Sequence, residues 1–179
     1  KGGRIRGSLY GAGEFYSASG IRSYVLTGGI INGWLAAGAN GTRSDGGQVS
    51  GASYMYVGGN TRIDSEGNNA VINRSVGGNV FGAGCGYSAQ STSGEVTNGT
   101  NVVIADKAYI ERGVYGGGSY GYTTASSYLY ITGGHVAGKN GGVNGTTYDG
   151  SITGGVFGGS CQNKGGSSYI YMTGGLVEG

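Results

Sequence analysis

The sequence predicts an all-β fold, a parallel β-helix (β-solenoid) of about seven irregular coils, and three observations support this prediction. Glycine supplies 45 of the 179 residues while proline is absent. A strand signature that ends in paired glycines recurs along the chain, and a nine-residue pattern recurs between its copies. The two patterns alternate at unequal intervals of about twenty residues or more, which is the spacing of solenoid coils with loops of different lengths.

The glycine content indicates a recurring geometric demand. Glycine at this level without a period is typical of disorder, but 37% of the residues are hydrophobic and fifteen are tyrosine, so we expect the chain to fold. Collagen is excluded because proline is missing and glycine does not occupy every third position. A glycine inside a regular element costs roughly 0.5–1 kcal/mol relative to alanine, so this many glycines indicate tight turns and close backbone approach.

The strand signature is the clearest repeat. SSYLYITGGHVAG at 126–138 returns as SSYIYMTGGLVEG at 167–179. Shorter copies are SYVLTGG from Ser23 and SYMYVGG from Ser53, and weaker relatives begin at Asn69, Thr100 and Gly150. No long segment has the 3.6-residue apolar period of a helix, whereas these runs alternate with a period of two.

Alternation assigns the side chains of each strand to two faces. We place the aliphatic side chains inside, and we expect the glycine pairs at the corners between strands. The two predicted inward columns are Leu129, Ile170, Met55 and Val25, and then Ile131, Met172 and Val57.

The nine-residue pattern aligns five times without gaps. Each copy has an aliphatic residue, three variable residues, an apolar pair that mostly ends in an aromatic, and three very small residues. The copies are IRGSLYGAG at 5, IINGWLAAG at 30, VGGNVFGAG at 76, IERGVYGGG at 110 and ITGGVFGGS at 152.

Tyrosines fall into register in the strand repeats. One column holds Tyr54, Tyr128 and Tyr169, and its neighbour holds Tyr56, Tyr130 and Tyr171, with Tyr24 nearby. Two tyrosines per coil would overfill a narrow interior, so we predict that both columns point outward. An outward aromatic strip would stack on sugar rings or meet a partner surface.

The two cysteines occupy the same place in two copies of the nine-residue pattern. Cys85 follows VFGAG and Cys161 follows VFGGS. The intervening strand signatures give a separation of about three coils, roughly 14 Å, whereas a disulfide needs Cα atoms within about 7 Å. We therefore predict no internal bridge, and each thiol is either a small buried filler or half of a link to another subunit.

Carboxylates offer one alternative, an enzymatic one. The segment IDSEG brings Asp64 and Glu66 to one side of a strand, close enough for general acid and base catalysis or for a cation. Asp106, Glu111 and Asp149 would complete a polysaccharide-cleaving cleft, but nothing in their spacing demands one. Polar loop residues are the simpler interpretation.

Other chemistry finds little support. His135 is the only histidine, and the other copy of its repeat has Leu176 in that slot, so we predict an exposed corner residue. Glycine runs such as YGGGSYGY lack the GK[ST] ending of a phosphate loop. We predict no catalytic residue, no metal site and no cofactor.

Charge and hydropathy exclude two classes of partner. A net charge of +2 with 11% charged residues gives no field that predicts nucleic-acid binding. No run of about 18 apolar residues is present, so no membrane span is predicted. Glycosylation sequons occur at Asn40, Asn73, Asn98 and Asn144, although three of them are NGT and the NG dipeptide is also a favoured turn.

The phrase TGGxVxG, taken with VFGAG and VFGGS, resembles the glycine-rich repeats of adhesin-like bacterial surface proteins and autotransporter-type passenger regions. The likeness covers most of the chain but lies in residues that set architecture. It implies a parallel β-helix and a location that is extracellular or at the cell surface. It implies no particular ligand.

These observations predict that residues 1–179 form a single β-solenoid domain. The junction TGGLVEGKGG, made by joining the last residues to the first, closely parallels TGGHVAGKNGG at 132–142. We therefore expect either a subunit that polymerises head to tail or a slice of a longer repeat array. The predicted function is an extracellular structural fibre, stalk or adhesin that displays loops such as 88–100. The alternatives are a carbohydrate-active β-helix and a module that binds a glycan or a host surface through the tyrosines.

Overall fold

A computed structural model describes residues 2–13, 16–41, 47–65, 77–86, 92–139, 155–161 and 163–178. Every regular element in these ranges is a β-strand, and every strand pairing is parallel. The strands are β1 (Arg4–Ile5), β2 (Leu9–Tyr10), β3 (Ala18–Ser19), β4 (Arg22–Leu26), β5 (Ile30–Ile31), β6 (Leu35–Ala36), β7 (Val49–Ser50), β8 (Ser53–Val57), β9 (Arg62–Ile63), β10 (Val80–Phe81), β11 (Thr100–Ile104), β12 (Tyr109–Ile110), β13 (Gly113–Tyr115), β14 (Ser127–Val136), β15 (Gly155–Phe157) and β16 (Ser168–Val177).

The strands divide among three sheets. Sheet A has nine strands in the order β1-β5-β9-β12-β14-β11-β8-β4, and β16 also pairs with β14. Sheet B has five strands in the order β15-β13-β10-β6-β2, and sheet C contains β3 and β7. The strand signature supplies β4, β8, β11, β14 and β16 of sheet A, and the first aliphatic residue of the nine-residue pattern lies in β1, β5 and β12 of the same sheet. The apolar pair of the nine-residue pattern supplies sheet B.

The prediction of one β-solenoid with about seven irregular coils is wrong. The described strands form three separate parallel sheets, and the order of sheet A doubles back at β14, which pairs with β11 through one half and with β12 through the other. Strand lengths run from two residues to ten, because glycine and polar residues interrupt most apolar runs. The repeated motifs consequently do not produce a uniform stack of equal units.

Strand register confirms most of the predicted inward columns. Met55 aligns through Val102 with Leu129 and then Ile170, and Val57 aligns through Ile104 with Ile131 and then Met172. The core packs along these columns, together with apolar side chains from the shorter strands β5, β6, β9, β10, β12 and β13.

The placement of Val25 in the first column is wrong. Tyr24 pairs with Met55, so Val25 pairs with Tyr56, faces outward and is 70% exposed. The SY dipeptides of the two strands are offset by one residue, and a one-residue slip transfers every side chain to the opposite face. Tyr24 accordingly points inward and packs against the core.

Sheets A and B are joined across the interior by a row of hydroxyl groups. Ser53, Thr100 and Ser127 each donate a hydrogen bond of 2.6 Å, and the acceptors are the carbonyls of Gly82, Gly116 and Gly158. The small residues of the nine-residue pattern permit this close approach. A Cβ at Gly116 would lie 2.1 Å from the Gly158 carbonyl oxygen on the neighbouring strand of sheet B and 3.1 Å from the Ser127 Cβ of sheet A, too near for any larger residue.

Candidate functional site

One edge of the molecule exposes side chains that the fold elsewhere buries. We call the outer edges of β15 and β16 the tail edge; in the described part of the chain, β16 pairs only with β14 and β15 only with β13. Ile170 is 47% exposed and Met172 is 52% exposed, whereas their partners Leu129 and Ile131 are buried. The tail edge therefore combines free backbone hydrogen-bonding groups with an apolar surface.

The opposite edge is also open. We call the outer edges of β1, β2 and β4 the head edge, and each of these strands has one pairing partner within the described ranges. Ile5 is exposed on it, and Arg4 and Arg6 flank Ile5 with exposed side chains. Tyr24 and Leu26 lie on the inner side and are only partly covered.

The structure places the six predicted tyrosines in two outward-facing columns. Tyr54, Tyr169 and Tyr171 are exposed and the other three are half-buried. The columns are not continuous, because Asn101 separates Tyr54 from Tyr128, and Val103 separates Tyr56 from Tyr130.

The tyrosine rings stack on one another. The Tyr128 and Tyr169 centroids are 5.0 Å apart at an interplanar angle of 11°, and those of Tyr130 and Tyr171 are 5.1 Å apart at 11°. Sugar recognition by aromatic residues uses the ring face, and here the facing sides of each pair are already in contact. The outer faces of Tyr169 and Tyr171 are free of these stacks, and they lie at the tail edge.

Tyr56 takes part in a surface hydrogen-bond network. The Asp106 carboxylate accepts hydrogen bonds of 2.8 Å from the backbone N–H of Gly59 and from the Tyr56 hydroxyl. The Gly59 N–H and then the Tyr56 hydroxyl lower the pKa of Asp106. The same contact raises the pKa of Tyr56. Asp106 thus stabilises the turn at Gly59.

His135 lies inside β14, not at a corner as predicted from the sequence. Its Nε2 is 2.6 Å from the Glu178 carboxylate, and its ring packs edge-on against Tyr109 at a centroid distance of 5.4 Å. The guanidinium of Arg62 lies over the Tyr109 ring, 4.4 Å from its centroid. This row of contacts connects Glu178, directly after β16, with β14, β12 and β9.

Both cysteines are free thiols. Cys85 is buried, while Cys161 is half-buried and hydrogen-bonds with Tyr115. Burial raises the pKa of each thiol. Only β13 separates β10 from β15, so the cysteines are about two strand spacings apart, near 10 Å, not three coils as predicted. Of the two candidates for an intersubunit link, Cys161 is the more accessible to solvent, since Cys85 is 5% exposed.

The carboxylates proposed for polysaccharide cleavage have other partners. Asp64 is 1% exposed, and it accepts hydrogen bonds from the Asn32 amide and the Arg62 guanidinium. Glu111 accepts from the backbone N–H and the hydroxyl of Ser65 and forms an ion pair with Lys139. Glu66 and Asp149 lie outside the described residues.

The described ranges lack two kinds of feature. They contain no group of three or more His, Cys, Asp or Glu side chains that could hold a metal ion. They also contain no helix long and apolar enough to cross a membrane.

Two features escaped the sequence reasoning. The interior hydroxyl row could have been found, because a serine or threonine opens the strand at 53, 100 and 127 and a glycine follows each aromatic residue of sheet B. The Asn32–Asp64 contact could not, since nothing local relates two residues so far apart in the chain.

No protein-family model, curated protein or solved structure matches this chain.

Proposed function

We propose that the protein is a structural subunit that builds a fibre or stalk by adding strand to strand at its open sheet edges. The single observation that carries this proposal is the tail edge, where Ile170, Met172 and Leu176 are about half exposed on β16, a strand that pairs on one side only within the described residues.

An open edge of this kind favours assembly for two physical reasons. Unpaired N–H and C=O groups form a template for another strand, and folded proteins usually protect such edges with charge, proline or a covering element. On β16 the side chains beside the edge are apolar, so a pairing strand would also remove hydrocarbon from water at about 25 cal/mol per Å².

The location outside the cell is part of the same proposal, and its support is the resemblance to glycine-rich surface repeats. Loops between the strands would then be displayed along the sides of the fibre. Glycan binding through the tyrosines receives less support, because the rings of each stacked pair cover one another.

The test is assembly of the purified 179-residue chain. We expect concentration-dependent growth in sedimentation velocity and filaments of constant width in negative-stain electron micrographs. A variant with Ile170→Lys and Met172→Lys should stay monomeric, because edge lysines block strand addition.

The matched control adds the same two charges away from the edges, as Asn98→Lys with Thr124→Lys, at two exposed positions. This control should assemble like the unmodified chain. Monodisperse monomers of the unmodified chain at the highest attainable concentration would contradict the proposal.

A further inference from the structure

We infer that the two stacked tyrosine pairs of β14 and β16 are sites of oxidative cross-linking, at which a carbon–carbon bond joins Tyr128 to Tyr169 and Tyr130 to Tyr171. The oxidant is hydrogen peroxide, used by a haem peroxidase. The product fastens β16 covalently to the strand beside it. The inference stands on the ring geometry and goes beyond the assembly proposed above, on which it does not depend.

The strand register sets the reacting carbons opposite each other. Tyr128 pairs with Tyr169 and Tyr130 with Tyr171 on adjacent parallel strands, so both rings of a pair leave the sheet in the same direction. The ring centroids are 5.0 Å apart in the first pair and 5.1 Å apart in the second, and the interplanar angle is 11° in both. The carbons ortho to each hydroxyl, Cε1 and Cε2, therefore face their counterparts. The centroids of two directly bonded rings lie slightly closer than this, so a turn of the two side chains brings the carbons to bonding distance.

Both pairs are accessible from the outer face of sheet A. Tyr169 is 42% exposed and Tyr171 is 48% exposed, while Tyr128 and Tyr130 are half-buried. An oxidant in solution can thus reach one ring of each pair directly. The second ring is the nearest partner for the radical that forms there.

Other aromatic residues of the described chain lack one of the two requirements. Tyr115 stacks on two phenylalanine rings, which carry no hydroxyl. Tyr54 is exposed, but its register neighbours are Ser23 and Asn101. Among the described strand pairings, a tyrosine lies opposite a tyrosine only between β14 and β16.

The coupling balances with peroxide as the only co-reactant. The peroxidase removes one hydrogen atom, a proton with an electron, from each of the two hydroxyls, and one hydrogen peroxide becomes two waters. The unpaired electron of each phenoxyl radical is shared with the ortho carbons, and the Cε–Cε bond forms from one electron of each ring. The hydrogen on each bonded carbon then moves to the phenolic oxygen, which restores both aromatic rings. Each pair thus consumes one peroxide and loses two hydrogen atoms.

The cross-link acts on a strand with little support of its own. Within the described residues, β16 pairs on one side only, so a strand edge that opens easily is expected there. A covalent bond between residues so far apart in the chain restricts the unfolded state, as a disulfide does. The oxidised protein should therefore unfold at a higher urea concentration than the untreated protein.

The experiment treats the purified 179-residue chain with a haem peroxidase and hydrogen peroxide, at a concentration at which the chain is monomeric. Trypsin then cuts the denatured product after Arg112, Lys139 and Lys164, and so releases β14 and β16 in separate peptides, 113–139 and 165–179. We expect these two peptides to be joined, with a mass two hydrogen atoms below their sum, in chains that still migrate as monomers. The yield should stay the same on about tenfold dilution, because the reacting rings are held together within one chain.

Phenylalanine variants distinguish the named pairs from other tyrosines. Tyr169→Phe with Tyr171→Phe keeps the rings and removes the oxidisable hydroxyls, so the joined peptide and the rise in urea midpoint should both disappear. Tyr16→Phe with Tyr54→Phe is the matched control, because both tyrosines are exposed and neither belongs to a stacked tyrosine pair of the described residues. This control should give the joined peptide in unchanged yield. An unchanged urea midpoint before oxidation verifies that each variant folds.

Three results would overturn the inference. They are coupling of tyrosines only between different chains, a joined peptide that persists in the Tyr169→Phe, Tyr171→Phe variant, and tyrosines that remain unmodified after the peroxide is consumed. Filament formation is measured separately on untreated protein, so none of these results decides the assembly function.

Discussion

β14 and β16 have nearly the same sequence and opposite surroundings. Their residues pair one to one from Ser127 with Ser168 through Ile131 with Met172. Yet Leu129 is completely buried and Ile170 is 47% exposed. The side chains point to the same side of the sheet, so the difference is whether a strand lies on both sides or on one.

The comparison shows that burial in this protein depends on neighbours along the sheet more than on the local motif. Leu129 contacts the column above and below it, through Val102 of β11 and Ile170 of β16. Ile170 has such a neighbour on one side only. A second strand beside β16 would make the two environments equivalent, which is what the proposed assembly provides.

The largest expected effect on the free energy of unfolding comes from the buried member of the pair, Leu129. Leu129→Ala should lower the free energy of unfolding by about 2–5 kcal/mol, because it removes a buried side chain and leaves a cavity. Ile170→Ala in dilute monomer should cost about 1 kcal/mol or less, since the side chain is half in water already. Urea unfolding of both variants measures the difference.

The same two variants can also be compared at a protein concentration at which the chain assembles. Under conditions in which the chain assembles, the cost of Ile170→Ala should rise toward that of Leu129→Ala, while the cost of Leu129→Ala should change little. Equal costs for the two substitutions in dilute monomer would show that β16 is already covered.

A smaller effect is expected from the hydroxyl row. Thr100→Val removes the 2.6 Å hydrogen bond to the buried carbonyl of Gly116 while keeping the shape of the side chain. An unsatisfied buried acceptor costs about 1–3 kcal/mol, so the unfolding free energy should fall by that amount. Ser168→Ala, at the same register position of the exposed strand, is the matched control and should change it by less than about 0.5 kcal/mol. Similar losses in both would mean that the hydroxyl row does not join sheets A and B.

The sequence was sufficient for local periodicity. A period of two placed Leu129, Ile170 and Met55 on one column, and the structure agrees. The sequence alignment was wrong at Val25, because it matched the SY dipeptide of β4 with that of β8. The structure instead aligns Arg22 with Ser53, which lets the Tyr24 side chain fill the interior beside Met55.

The arrangement of the sheets was beyond what the motifs contain. Repeats state which residues are equivalent, but they do not state where each strand ends or which strands share a sheet. Those properties depend on contacts between distant residues, such as the pairing of β14 with both β11 and β12. The exposure of Ile170 and Met172 was likewise not predicted, because the sequence of β16 reads like that of a buried strand.

The smallest expected effect concerns a polar group on the surface, the Asp106 carboxylate, and tests whether contacts from the neighbouring strand stabilise it. Asp106 follows β11, and its carboxylate is held by Tyr56 and Gly59 from the adjacent strand and turn. These contacts lower its pKa. The stabilisation they give is therefore complete above the ordinary pKa of an unfolded aspartate, about 3.9, and disappears as the pH falls through the lower folded-state pKa.

Asp106→Asn should flatten this acid limb of stability against pH, and asparagine tolerates the positive φ of 54° at this position. Tyr56→Phe, which removes only one of the two donors, should flatten it in part. The measurement is urea unfolding between about pH 2 and 6 of the unmodified chain and the two variants. Equal slopes of stability against pH in all three would show that Tyr56 and Gly59 do not stabilise the Asp106 carboxylate.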